Sequence, residues 1–219
     1  MIITAINVQL KNPNRVSIFI DGHYNLSLDI VQLNDIKLKV GQEIDEAHFH
    51  ELERASQFGK LYTRTLEYLL MRPHSRLEVK QYLHRKTLDR KYKVRGTTEY
   101  KVAPGIEKSI ADSVLNTLVD RGYIDDRKFA SYWVENRHIK KGVSHRKLVD
   151  ELSRKGVDKE IIREALNGSD RNNQDELEKM ITKKSKRYAD NHQEFMAYLC
   201  RQGFSYGDVR ESLNAYFEK

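Results

Sequence analysis

The sequence predicts a mainly α protein: tandem three-helix repeats forming an elongated curved module, preceded by a small N-terminal antiparallel β segment. Three observations lead there. Apolar residues alternate along the first 28 positions, and from Asp45 onward they recur at about 3.6 spacing. Helix caps and glycine stops then punctuate the chain at short intervals. Finally, one arrangement of caps, apolar positions and glycine returns 47 residues later. With 39% hydrophobic and 32% charged residues among 219, the chain suits several small apolar faces better than one thick core.

The β segment comes first. Ile6, Val8 and Leu10 alternate in one strand, Asn12-Pro13-Asn14 is a turn signal, and Val16, Ile18 and Ile20 alternate in a second. Asp21-Gly22 is a tight-turn dipeptide, and Tyr24, Leu26 and Leu28 make a third strand. Such a meander needs a cover for its apolar face. A short helix after Asp29 and a helix after Asp45, the latter through Phe49 and Leu52, are suited to supply it.

Helical triplets follow. Leu61, Thr65, Leu66, Leu69 and Leu70 form a stripe on a helix over 58–71, ended by Met71-Arg72-Pro73. Ser75 with Glu78 is a capping box, and Val79, Tyr82 and Leu83 line that helix. Residues 87–104 interrupt the helical pattern; Tyr92, Val94, Tyr100 and Val102 flank Gly96 as in a basic hairpin. A helix over 105–121 stops at Gly122, and Asp125 caps one over 126–140 with Phe129, Ala130, Trp133 and Val134 inside. Ser144 caps a helix bearing Leu148 and Leu152, Gly156 ends it, and Asp158 caps one bearing Ile161, Ile162 and Leu166.

The repeat aligns Ser144 with Asn191, Leu148 with Phe195, Leu152 with Leu199, Arg154 with Arg201 and Gly156 with Gly203. It continues with Val157 on Phe204, Asp158 on Ser205, Ile162 on Val209 and Leu166 on Leu213. A partial earlier copy sets Val79, Leu83, Arg85 and Lys86 on Leu148, Leu152, Arg154 and Lys155. The expected organisation is a β extension at 1–50, a first repeat at 51–103 with a basic insertion at 87–104, a second repeat at 104–168 and a third at 169–219. Each repeat would bury its stripe partly against its neighbour.

Several functions are disfavoured. The single cysteine, Cys200, rules out an internal disulfide framework and a thiolate zinc cluster, and reads as a small buried hydrophobe. Gly59-Lys60 is followed by Leu61, so no phosphate loop is present. His48 and His50, two apart, face different sides of a helix and make a poor metal pair. Asp125-Asp126 reads as a helix cap rather than a pair of catalytic carboxylates, and Trp133 as core rather than a stacking platform. No apolar run approaches the ~20 residues of a membrane helix, and no signal region opens the chain. The expectation is a cytoplasmic monomer with no enzyme activity, cofactor or metal.

The charge excess is local. The formal charge of +7 arises chiefly in residues 51–103, which alone carry +7, against −2, +2 and 0 in residues 1–50, 104–166 and 167–219. Arg85, Lys86, Arg90, Lys91, Lys93 and Arg95 face only Asp89 in sequence. A second set is Lys140, Lys141, Arg146, Lys147, Arg154 and Lys155, with Lys147 and Arg154 sharing one helix face beside Leu148 and Leu152. Such clusters meet phosphates or acidic protein surface, or simply solvate an outer face. The helix after Asp158 begins Lys159-Glu160, and its counterpart begins Ser205-Tyr206-Gly207-Asp208. Acids there argue against base-specific reading of a major groove.

The ordered motifs resemble the RecX family of regulators of the RecA recombinase. They are Arg72-Pro73-His74-Ser75 with Glu78 and Leu83-His84-Arg85-Lys86; Leu118 through Ala130, including Gly122-Tyr123-Ile124-Asp125-Asp126; Lys141-Gly142; Arg154-Lys155-Gly156-Val157; and Tyr198-Leu199-Cys200-Arg201-Gln202-Gly203-Phe204. The resemblance runs from about residue 58 to the end, and the N-terminal strands are similar to an extension in some members. It implies a curved three-repeat protein bound in the groove of the RecA–DNA filament, lowering RecA ATPase, strand exchange and filament growth in recombination, repair and the SOS response. It brings no enzyme activity. Lys141, Arg154, Lys155 and Arg201 fall inside matched motifs, whereas Arg90, Lys91, Lys93 and Arg95 lie in an insertion that departs from the family. Contact with single- or double-stranded DNA would run through backbone phosphates. The rival reading is a sequence-non-specific nucleic-acid-binding module that acts without RecA.

Overall fold

A computed structural model describes residues 1–218. The chain forms two compact units, one of residues 1–72 and 79–123, the other of residues 73–78 and 124 onward.

In the first unit, β1 (Ile3–Gln9), β2 (Asn12–Ile20) and β3 (His23–Asp29) form an antiparallel meander in that order. Asp21 and Gly22 both have positive φ, 49° and 81°, as the tight β2–β3 turn requires. The first turn lies at Leu10–Lys11, because Asn12 pairs with Gln9; Asn12-Pro13-Asn14 therefore starts β2. Leu10 is consequently a turn residue in full solvent. Val16, Ile18, Ile20, Leu26 and Leu28 are buried as the alternation requires. Tyr24 is not, at 54% exposure. A register shift between Ile18 and Phe19 sets it opposite Phe19, which it meets edge-on at 6.0 Å. Val8, at the far end of edge strand β1, is 60% exposed.

Helices α1 (Ile30–Ile36) and α2 (Glu46–Leu70) cover the sheet. Asp29 and Gln32 form a reciprocal capping box on α1. Helix α2 is continuous over 25 residues, where the sequence pattern suggested two helices. Gly59 lies in its interior although glycine costs about 0.5–1 kcal/mol there relative to alanine. A Cβ at that position would sit 2.6 Å from Gln32 Oε1, so glycine is what lets the Gln32 side chain reach Ala55 O at 2.7 Å. The first half of α2 packs on the sheet through Leu52 and Ser56, whose hydroxyl donates to Ser27 O. Its second half, with Leu61, Thr65 and Leu69 buried, runs on to α3 (Arg76–Thr87) and α4 (Lys108–Asp120). Helix α4 falls within the expected second repeat, 104–168, yet it packs on α2 in this unit. Between α3 and α4 stands the hairpin β4 (Arg90–Lys93) and β5 (Tyr100–Ala103).

The second unit contains two copies of one triplet. The first is α5 (Asp126–Asn136), α6 (His145–Arg154) and α7 (Lys159–Asn167); the second is α8 (Asn173–Lys184), α9 (His192–Arg201) and α10 (Tyr206–Phe217). Helices α5 and α8 end earlier than periodicity suggested, α5 in a turn over 137–141 and α8 in a short 3-10 turn, Ser185–Arg187. The aligned positions behave alike. Leu148 and Phe195, Leu152 and Leu199, Val157 and Phe204, and Ile162 and Val209 are all buried. Ser144 and Asn191 cap α6 and α9, Asp158 and Ser205 cap α7 and α10, and Gly156 and Gly203 take φ of 76° and 98°.

A carboxylate joins the triplets. Glu176 of α8 is fully buried. It accepts from Arg171 Nε (3.1 Å) and Nη2 (2.5 Å), from Lys179 Nζ (2.8 Å) and from the Val143 backbone N–H (2.9 Å). Arg171 Nη1 also donates to Val134 O and Arg137 O of the preceding triplet. Burial pushes the Glu176 carboxyl up, but these donors outweigh it and hold the group below its ordinary value. Its stabilising contribution is therefore complete above the unfolded-state value, about 4.3, and is lost as pH falls through the lower folded value. Glu176→Gln leaves Arg171 buried without its counter-charge. Chemical denaturation at pH 7 should show a loss of about 3 kcal/mol, and the gap from wild type should narrow on acidification below pH ~4.

Candidate polyanion-binding surfaces

The predicted basic residues separate into exposed groups and residues occupied by the fold. In the first unit, α3 ends with Arg85 exposed and Lys86 half-buried. Their cationic heads lie 6.0 and 4.8 Å from the Tyr82 ring centre, and Tyr82 stacks on Tyr68 at 4.5 Å. Burial raises the Tyr82 pKa, Glu67 adds to the rise, and Arg64 and Arg85 oppose it. Lys86 O accepts from Ile106 N–H, and Asp89 accepts from Gly105 N–H at 2.9 Å, which pins the base of the hairpin. Asp89 is thus used at the base, away from Arg90, Lys91, Lys93 and Arg95, all exposed on the hairpin.

In the second unit, Arg146, Lys147 and Arg154 of α6 and Arg201 of α9 line one concavity of about 380 Å³, together with Asp150, Glu151 and Cys200. The repeat builds this place. Ser144 Oγ accepts from Lys147 N–H to cap α6 and donates to Gln202 O at 2.6 Å. Lys147 Nζ donates to Gln202 Oε1 at 2.6 Å. Gly203 is required here, since a Cβ would lie 2.5 Å from Ser144 Oγ. Arg146, Arg154 and Arg201 remain exposed around the concavity. Glu151 is held by Arg137 (2.8 and 3.1 Å) and Trp133 Nε1 (3.0 Å), and these bonds lower its pKa against the upward push of burial.

Lys155 is different. Its Nζ meets Glu78 Oε1 at 2.6 Å, with only 24% and 15% of the two side chains exposed, and it lies 4.4 Å from the Trp133 ring centre. Trp133 therefore packs in the core and also supports a cation. Gly156 abuts Leu77, where a Cβ would approach to 2.9 Å. Asp125 caps α5 by accepting from Arg127 and Lys128 N–H, while Asp126 accepts from Arg76 N–H at 2.8 Å. Both carboxylates of the doublet thus serve backbone groups. Lys140 and Lys141 are exposed in the turn before Gly142, away from the concavity; Lys140 adjoins Asp175 and Glu178. Cys200 is half-buried against the core of the last triplet.

Sequence reasoning passed over Arg15, Lys60 and Arg64. Arg15 is buried and donates to Ser27 O (2.8 Å) and Ser27 Oγ (3.0 Å). Half-buried Lys60 has its pKa lowered by burial, then by Arg15 and Arg64. Arg15 is far in the chain from Lys60 and Arg64, and no local run of charge announces them. Among the described residues no group of three His, Cys, Asp or Glu is placed to hold a metal, and no helix is long and apolar enough to cross a membrane.

The fold and its surfaces define a modular protein of three-helix units with an N-terminal β extension. Family models describe both parts: the regulatory protein RecX N-terminal domain matches residues 1–45, and the second three-helix domain of RecX matches residues 125–166. The regulatory protein RecX of Bacillus licheniformis is 30% identical over 217 residues, covering 96% of this chain and 76% of that one. That of Bacillus subtilis is 29% identical over 219 residues, covering 97% and 76%. A crystal structure of regulatory protein RecX superposes with a TM-score of 0.67 at 22% identity, covering 95% and 97% of the two chains. One from Lactobacillus salivarius gives 0.53 at 20%, covering 72% and 95%. The chain belongs to the RecX family.

The motif cations should divide accordingly in a stability measurement. Lys155→Ala removes the partly buried ion pair with Glu78 and the cation over Trp133, and should cost about 2 kcal/mol. Arg154→Ala, one residue earlier and exposed, should change stability by less than about 0.5 kcal/mol.

Proposed function

We propose that the protein binds the RecA–DNA filament and lowers RecA ATPase, strand exchange and filament growth, acting as a cytoplasmic monomer without catalysis or cofactor. Membership of a family of regulatory proteins supports this reading. The observation that carries it is the repetition of Arg154 and Arg201 at equivalent positions of successive triplets, both exposed and both beside one concavity. A surface that repeats along the chain suits a target that repeats along its axis. Several individually weak contacts then act together through high effective concentration. The basic side chains would meet acidic filament surface or the phosphates of bound DNA.

A titration of RecA's DNA-dependent ATP hydrolysis tests the proposal. Hydrolysis should fall at substoichiometric protein. Combined Arg146→Glu, Arg154→Glu and Arg201→Glu replacement should weaken the effect about tenfold or more, with thermal stability retained. Unchanged hydrolysis at saturating protein would remove the proposal. The second reading, a nucleic-acid-binding module independent of RecA, is favoured by the exposed hairpin. It predicts equal affinity for bare and RecA-coated strands, whereas filament binding predicts preference for the coated ones.

A further inference from the structure

The hairpin β4–β5 is a cationic ribbon with two open faces. Its register pairs Arg90 with Ala103, Lys91 with Val102, Tyr92 with Lys101 and Lys93 with Tyr100. Paired residues project from the same side of a sheet, and neighbours along a strand from opposite sides. One face therefore carries Arg90, Tyr92 and Lys101, and the other Lys91, Lys93, Tyr100 and Val102. Both are in solvent: every residue of β4 is exposed, as are Tyr100, at 69%, and Val102, at 55%. Among the described residues, no ion pair or hydrogen bond occupies the side chains of Arg90, Lys91, Lys93, Arg95 or Lys101, and Glu99 is the one acid in the ribbon. The ribbon is nonetheless held in shape. Asp89 and Thr87 fix its base, where a Cβ on Gly105 would strike Thr87 O. At the tip Val94 N–H donates to Glu99 O, Thr97 Oγ1 accepts from Glu99 N–H, and Gly96 has φ of 82°.

An isolated two-stranded ribbon is marginal in water, so two uncovered faces call for a partner that meets both. A flat anionic surface would engage one face and leave the other cationic face unused. A single strand stacks its bases along one aromatic track, and Tyr92 and Tyr100 lie on opposite faces. A duplex groove has phosphates on both walls. The major groove, about 12 Å wide and 8.5 Å deep, admits a two-stranded ribbon. Strands about 4.8 Å apart with arms of about 13 Å are of suitable size. We infer that this ribbon enters the major groove of double-stranded DNA, with Arg90 and Lys101 on one wall, Lys91 and Lys93 on the other and Arg95 leading.

This inference names the ligand of one surface and needs no RecA, so it stands or falls apart from the filament proposal. The test is fluorescence anisotropy of the full chain with a mixed-sequence 30-base-pair duplex, the matching single strand and no RecA, over a salt series. One variant reverses the first face, Arg90→Glu with Lys101→Glu; another reverses the second, Lys91→Glu with Lys93→Glu. Each should weaken duplex binding about tenfold or more and reduce the salt slope by about two. Each should keep the wild-type thermal midpoint, because none of the four residues touches a core. Methyl green, which occupies the major groove, should compete, and netropsin in the minor groove should not. Loss confined to one face, loss with neither, single-strand binding as tight as duplex binding, or competition by netropsin alone would each overturn the inference.

Discussion

A buried carboxylate ties the repeated triplets together and fixes how one sits on the next. Each triplet is a few short helices around a small core, and burying apolar area in pieces that small scarcely offsets the conformational entropy lost on folding. Glu176 joins two of them through four donors, one of which is the Val143 backbone N–H just ahead of α6. Arg171, bound to the same carboxylate, reaches back to the carbonyls of Val134 and Arg137. A charge pair of this kind adds less net stability than its short distances suggest, because both ions lost their water. Its geometry is demanding, however, and it sets the register of one triplet on the next. Gly142 shares in this: a Cβ there would collide with Glu176 O.

The same economy governs the motif residues. Ser144 caps its own helix and binds Gln202 O; Asp126 stands at the start of α5 and serves the backbone of Arg76; Lys155 satisfies Glu78 over an aromatic face. In each case a residue whose local role is evident from sequence has a second role toward a distant segment. This leaves Arg146, Arg154 and Arg201 as the exposed cations of that region, around a concavity the repeat itself creates.

Much of this was legible beforehand. Caps, glycine stops and apolar spacing depend on neighbours within four residues, so a linear reading finds them. The alignment of Leu148 with Phe195 and of Gly156 with Gly203 became aligned buried positions and aligned left-handed glycines. Errors arose where a distant contact overrode a local signal. The stripe over 58–71 read as a helix separate from the one after Asp45, but Gln32 fills the space beside Gly59, and α2 runs through. Tyr24 matched the alternation, but a register shift turned it toward Phe19.

The amino-acid order alone determined the helix-rich class, the repeat, most caps and the location of the charge excess, because each follows from short-range backbone and solvation preferences. Tertiary structure decided which cations remain available. Lys155 and Arg154 are adjacent and both basic; one lies over Trp133 against Glu78 and the other is in water. That difference comes chiefly from Glu78, 77 positions away, and Coulombic pairing through space leaves no trace in local pattern. It likewise took strand register to distribute the charges of residues 90–103 over two faces, since a shift of one position would have exchanged them.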